Sequence, residues 1–140
     1  RALLTQSDAL VSELQAADEL VIATPIYNFS VPAALKAWID LICREKITFI
    51  YENDRARGLL SNKRATVIIT SGGTIADTDI DYASSYIQHI LEFIGILDVS
   101  LIDVTGLAKN RREVINNARN EIAYVSERSI GAQRNLSVAE

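Results

Sequence analysis

The 140-residue chain predicts a doubly wound α/β domain on a parallel sheet, and three observations carry the prediction. Segments 19–24, 65–70 and 99–104 are short runs rich in Val and Ile, the composition of strands in a sheet covered by helices. Each is followed by a turn signal: Pro25, the Gly72-Gly73 pair and Gly106. Helical stripes separate the runs, so the order reads α-β-α-β-α-β-α, the pattern of parallel strands joined by crossover helices.

Each element has its own warrant. Residues 6–17 carry Leu10, Val11, Leu14 and Ala17 on one helix face, and the chain begins inside that pattern at Arg1. The first two strands are continuous apolar runs, expected to be covered on both faces; 99–104 alternates and suits a strand nearer an edge. From Ser30 onward Val31, Ala34, Leu35, Trp38, Ile39 and Ile42 recur at helical spacing. Ser30 is the expected N-cap and Pro32 fits the first turn.

Residues 45–64 are the longest connection. Within it 47–51 reads as a short strand turned by Asn53-Asp54 and Gly58, and long excursions of this kind are usually binding loops or lids. Ile80, Ala83, Ile87, Ile90, Leu91 and Ile94 make a second stripe over 80–94. Asp77 and Asp79 stand at its N-terminus and Gly95 lies beyond its end. Val114, Ile115, Ala118, Ile122 and Val125 define a last helix over 111–128. After Ser129 the periodicity fades and a frayed tail is expected.

A chain of this length builds one core, so residues 1–140 are expected to form a single domain. The common doubly wound strand order is 2-1-3-4-5. If the strands here are the third to fifth of such a sheet, they are its C-terminal portion, and two strands and a crossover precede them.

Composition excludes several partners. Fourteen basic residues against 18 acidic ones give a net charge of −4, unlike the clustered Lys/Arg surface that nucleic acid requires. No apolar run is long enough for a transmembrane helix, so no membrane partner is expected. Cys43 is the single cysteine, which rules out an internal disulfide, and no Cys/His cluster suggests a metal. A reducing cytoplasm is the expected compartment.

In open α/β sheets the ligand sits beyond the carboxyl ends of the strands. The first such end here is Thr24-Pro-Ile-Tyr-Asn-Phe-Ser30 and the second is Thr70-Ser-Gly-Gly-Thr74. Together they bring aromatics, hydroxyls, an amide side chain and two glycines to one rim, where free backbone N–H groups meet anionic or electron-rich ligands. Taken singly, each loop reads more readily as a turn with plugging aromatics; their pairing on one edge is what suggests a site. His89, the only histidine, falls within a helical stripe, Cys43 reads as packing, and Trp38 sits on an apolar face. No nucleophile–base pair, dinucleotide fingerprint or P-loop is present. A site with neither acid, base nor metal points to chemistry carried by a cofactor, so no catalytic side chain is assigned.

These residues carry a resemblance. Pro25-Ile-Tyr-Asn-Phe-Ser-Val-Pro32, followed by Leu35-Lys-Ala-Trp-Ile-Asp40, resembles the flavin-binding loop and helix of flavodoxin-like NAD(P)H-dependent FMN reductases. Thr48-Phe-Ile-Tyr-Glu-Asn53 with Gly58-Leu59, Thr70-Ser-Gly-Gly73 and Phe93-Ile-Gly-Ile96 look like the FMN-dependent NADH-azoreductase family, also labelled acyl carrier protein phosphodiesterase. Order and spacing match from Leu10 to Val125.

The resemblance implies a flavodoxin-like fold and an FMN-dependent oxidoreductase. NADH or NADPH would be the donor and a quinone or azo compound the acceptor, in ping-pong two-electron transfer. It implies cofactor binding by Pro25, Ile26, Tyr27, Asn28 and Phe29 and by Ser71, Gly72, Gly73 and Thr74. Substrate contacts would come from Phe29, Tyr51 and Phe93, with one subunit of a homodimer lending residues to the other's site. Two positions depart from the family pattern: Gly72 stands where an arginine is common, and Asp54-Arg-Ala-Arg57 replaces a Gly-containing turn. The family's Ser-rich phosphate loop after its first strand is not in these residues, which implies weak FMN retention by the 140-residue chain alone. An electron carrier of the flavodoxin type, or a flavin-free interaction module of the same fold, is the alternative. The hydrolase label finds no nucleophile or metal to support it.

Overall fold

The computed structural model describes the backbone of residues 2–137 and the side chains of residues 4–129. In chain order the elements are α1 (Ala2–Ala16), β1 (Glu19–Pro25), α2 (Ala33–Ile42), β2 (Phe49–Glu52), β3 (Arg55–Gly58), β4 (Arg64–Thr70), α3 (Ser84–Ile94), β5 (Asp98–Val104) and α4 (Leu107–Ser137). The three predicted strands form one parallel sheet in the order β1-β4-β5, while β2 and β3 make a separate antiparallel hairpin. The register aligns Pro25 with Thr70 and Thr70 with Val104, so all three strands finish level at one edge.

The core explains the apolar spacing. Ile22, Ala65 and Val67 of the sheet meet Ile87, Leu91 and Ile94 of α3, Ile42 of α2, and Val11 and Leu14 of α1. Ile42, Ile69, Ile87, Leu91, Ile94 and Ile96 are fully buried, each removing enough apolar surface from water to contribute about 2–3 kcal/mol. Ile102 of β5 and Ala118 of α4 are also buried, and α4 packs along β5.

Four expectations are corrected. β1 is not covered on both faces: Val21 is 61% exposed, and among the described residues β4 is its only strand neighbour. Grooves flank it, one lined by Leu10, Leu35 and Trp38, the other by Ile68, Ile122 and Val125. Ser30 is not the N-cap of α2; that place belongs to Pro32, whose carbonyl accepts the Lys36 amide and whose fixed φ of −59° suits it. The α3 helix begins at Ser84, not Ile80, and Ile80 is half exposed in the preceding loop. Finally, α4 starts earlier and runs later than its stripe, with non-helical φ/ψ at Asn110 and helical backbone to Ser137.

The 45–64 excursion is more ordered than its sequence pattern indicates. Asn53 and Asp54, with φ of 51° and 61°, form the two-residue turn that matches strand twist in a hairpin. Arg57 grips Glu52 across the hairpin with both Nε and Nη2, at 2.7 and 3.0 Å. The Gly-free turn is therefore accommodated by two residue types that tolerate left-handed backbone.

Candidate functional site at the carboxyl edge

Two loops leave adjacent strand ends. The ladder between β1 and β4 continues one step, from the Ile26 amide to the Thr70 carbonyl at 2.8 Å. Tyr27 and Ser30 then close on each other, each amide donating to the other's carbonyl at 2.9 and 3.1 Å. The two residues between them are both left-handed, Asn28 at φ 48° and Phe29 at φ 68°. Asparagine tolerates that region; for phenylalanine it costs about 1–2 kcal/mol. The turn holds Tyr27, Asn28 and Phe29 outward, all exposed, while Ile26 packs inward near Ile69, Ala76 and Ala83. A hydrogen bond from the Tyr82 amide to the Phe29 carbonyl, 2.9 Å, props the strained residue from behind.

The second loop is tied down at its root and open at its tip. Ser71 is buried; its hydroxyl donates to the Thr74 carbonyl, and its own carbonyl accepts the Leu107 amide. The Gly72 carbonyl accepts the Ala108 amide at 3.0 Å. Farther along, the Ala76 amide donates to the buried Thr105 hydroxyl, which in turn donates to Asp103 at 2.6 Å. The tip differs: a Cβ on Gly72 or Gly73 would meet nothing, and neither residue is left-handed. The chain's own packing does not demand glycine at either position. What glycine offers there is bare main chain facing outward. The N–H groups of Gly72, Gly73 and Thr74 have no hydrogen-bond partner among the described residues. Unpaired donors on an open, anchored loop beside an exposed amide side chain suit a flat ligand with acceptor atoms along one edge, and the isoalloxazine ring of a flavin fits that description.

Asp81 was not singled out by the sequence pattern. It is buried, its Oδ1 accepts the Ala83 and Ser84 amides at 2.9 and 3.0 Å, and its Oδ2 accepts the Asp77 amide at 2.9 Å. Burial alone would raise its pKa. The amides, with the nearby Ser84 hydroxyl (itself lacking a geometrically complete hydrogen bond), outweigh that and hold the carboxyl below its ordinary value. The available signal was an Asp two and three residues ahead of the first helical turn. Ile80 completes the apolar stripe and draws the predicted helix start past it.

The remaining predicted residues gather elsewhere. Tyr51 on β2 and Phe93 on α3 both pack against Phe49, with ring centroids 5.7 and 4.4 Å apart. Phe93 lies near the C-terminus of α3, which runs back from the carboxyl edge across 11 residues, about 16 Å. Tyr51 and Phe93 are thus brought together, but not with Phe29 of the same chain. His89 is exposed on α3 and Cys43 is half-buried. Among the described residues no group of three or more His, Cys, Asp or Glu could hold a metal, and no helix is long and apolar enough to cross a membrane.

A parallel sheet with helices packed on it and two open loops on its carboxyl edge defines an α/β protein of the doubly wound kind. A family model described as flavodoxin-like fold matches residues 1–125, and the chain belongs to that family. It is similar to a protein named FMN-dependent NADH:quinone oxidoreductase 1 from Colwellia psychrerythraea. The two are 50% identical over 122 residues, which is 87% of this chain and 64% of that one. A protein of the same name from Jannaschia sp. is 58% identical over 99 residues, 71% of this chain and 52% of the other. Among solved structures, an FMN-dependent NADH-azoreductase from Bacillus anthracis in complex with FMN superposes with a TM-score of 0.82 at 29% identity, covering 89% of this chain and 61% of that one. The chain therefore spans 52–64% of the length of these curated relatives.

Proposed function

We propose that the chain is the greater part of an FMN-dependent oxidoreductase that uses NADH, or alternatively NADPH, to reduce quinones or azo compounds. The observation that carries this reading is the pair of loops at the ends of β1 and β4: free amides at Gly72, Gly73 and Thr74 beside the outward-turned Tyr27, Asn28 and Phe29. The names of the curated relatives and the FMN-bound neighbour support it.

When bound, FMN supplies the two-electron chemistry. The chain's part is to bind and orient. Gly72, Gly73 and Thr74 would donate backbone hydrogen bonds to the acceptor edge of the ring, where negative charge collects on reduction. Asn28 would pair with a polar ring or side-chain atom, and Pro25, Ile26 and Ser71 shape the floor beneath. Phe29 would form an apolar wall that aligns the donor and then the acceptor over the ring.

Tyr51 and Phe93 cannot complete that wall from the same chain, because α3 separates them from the carboxyl edge. We infer a homodimer in which Tyr51 and Phe93 of the partner subunit reach the site. The 62% exposure of Tyr51 on an ordered hairpin supports this assembly. A cytoplasmic location suits a chain with one cysteine and a nicotinamide donor.

The test is an absorbance spectrum of the full-length protein before and after anaerobic NADH. A flavin band that bleaches with NADH and returns on adding a quinone is expected. A colourless protein would leave an interaction module. A flavin inert to NADH would indicate an electron carrier.

A further inference from the structure

We propose that Asp81 is a positioning residue for the flavin-binding edge, acting through the turn that supports Phe29. The inference rests on the flavin reading above and goes beyond it, because Asp81 faces no ligand position itself. Its two oxygens do different work. Oδ1 accepts the Ala83 and Ser84 amides and so caps α3, while Oδ2 reaches back four residues to the Asp77 amide. Asp77 follows Ala76, the last residue of the Gly72-Gly73 loop to be anchored, by its bond to Thr105. The Asp81 amide also donates to the Thr78 carbonyl at 2.9 Å. The Asp81 side chain, this main-chain bond and the Thr78 hydroxyl, which donates to the Ile75 carbonyl, together hold the path from the end of the second loop to the start of α3.

Tyr82 lies in the middle of that path, and its amide is the donor to the Phe29 carbonyl. Phe29 has a left-handed backbone that a β-carbon disfavours, and it keeps that backbone because neighbours hold it. Among the described residues, the bond from Tyr82 is the one hydrogen bond from the second loop's continuation to the first loop's tip. Without the Oδ2 bridge, the 77–82 segment loses its side-chain closure, and the Tyr82 amide is less firmly aimed. Asn28 and Phe29 are then free to leave the outward turn. Helix capping alone does not need Oδ2, so the two roles separate by substitution.

Asp81→Asn keeps a carbonyl oxygen for the cap but sets an amino group against the Asp77 amide. Asp81→Ser keeps a hydroxyl cap and is too short to bridge. Thr48→Val serves as the comparison: it breaks a buried hydroxyl network at the hairpin end of the molecule, where Thr48 Oγ1 donates to the Ile42 carbonyl, and it lowers stability without touching the Asp77–Asp81 bridge or the Tyr82–Phe29 bond. FMN affinity of the full-length proteins is read by quenching of flavin fluorescence. Hydrogen exchange at the Tyr82 amide is read in the flavin-free proteins.

At least a tenfold rise in the FMN Kd, with faster Tyr82 exchange, is expected in both Asp81 variants and in neither respect for Thr48→Val. Asp81 variants that bind FMN like the parent, or that weaken no more than Thr48→Val, overturn the proposal and leave the flavin reading intact. Failure of the parent protein itself to quench FMN removes the flavin reading, and the role of Asp81 with it.

Discussion

Gly58 and Gly95 meet backbone to backbone, so closely that a Cβ on Gly58 would overlap the Gly95 amide nitrogen and the Ile94 carbonyl carbon. Gly95 is itself left-handed, at φ 105°, as the C-cap of α3. The next link, from the Leu60 amide to the Ile94 carbonyl at 2.9 Å, seals the joint. The β2–β3 hairpin, and Tyr51 with it, is thereby fixed to the end of α3 by main chain and not by side-chain packing alone.

Gly58→Ala should therefore lift the hairpin from α3. Overpacking costs of about 1–3 kcal/mol are typical, and the neighbours here are backbone that cannot rotate away. The urea midpoint should fall accordingly. Exchange of the Leu60 amide should report local release even where the sheet remains intact.

Asn28 is open to a clean test of side chain against backbone. Asn28→Ala loses the amide and also pays for a left-handed alanine, about 1 kcal/mol; Asn28→Gly loses the amide alone. If the amide pairs with a polar flavin atom, Asn28→Gly should weaken FMN binding by about 1–3 kcal/mol with no loss of thermal stability. Unchanged flavin affinity by isothermal titration would remove Asn28 from the site.

Acid should expose the Asp81 network. Its folded pKa is depressed below the ordinary 3.8. The stabilisation is thus complete above the unfolded value and disappears as pH falls through the folded one. Urea midpoints measured at neutral pH and again in the acid range below about pH 4 should show the gap between the parent and Asp81→Asn narrowing toward the acid side. A gap that widens on acidification would contradict the assignment.

Cys43 should react slowly. Its thiol is half-buried, and burial pushes its pKa above the ordinary value, with the nearby Asp40 carboxylate adding to the effect and Lys36 opposing it. At neutral pH its rate with an aromatic disulfide reagent should lie well below that of an unstructured cysteine peptide, rising to the peptide rate in urea.

Much of the fold was legible because its elements carry strong periodicity. The Val- and Ile-rich strands and the stripes on α2 and α3 are long-range packing written into local spacing. The helix starts were misread where a turn interrupts a stripe: Ile80 continues the spacing of Ile87 and Leu91 but sits in the loop that Asp81 closes. The exposure of Val21 was illegible, since a strand's apolar content does not say which neighbours are present. The loops of the carboxyl edge were found from their place after the strands, through Pro25 and the Gly72-Gly73 pair. Asp81 and Thr105 were not, because their importance lies in hydrogen bonds across 4 and 29 residues that no short pattern encodes.

The direction of α3 has a consequence for inheritance of defects between subunits. If the protein forms the two-fold pair proposed above, each site is a hybrid, with Asn28 from one polypeptide and Tyr51 from the other. Asn28→Gly chains and Tyr51→Ala chains, each impaired as pure dimers, should complement when mixed: one cavity of the heterodimer receives both lesions and its twin receives none. Reassociated mixtures should then regain activity, up to roughly half that of the parent per heterodimer.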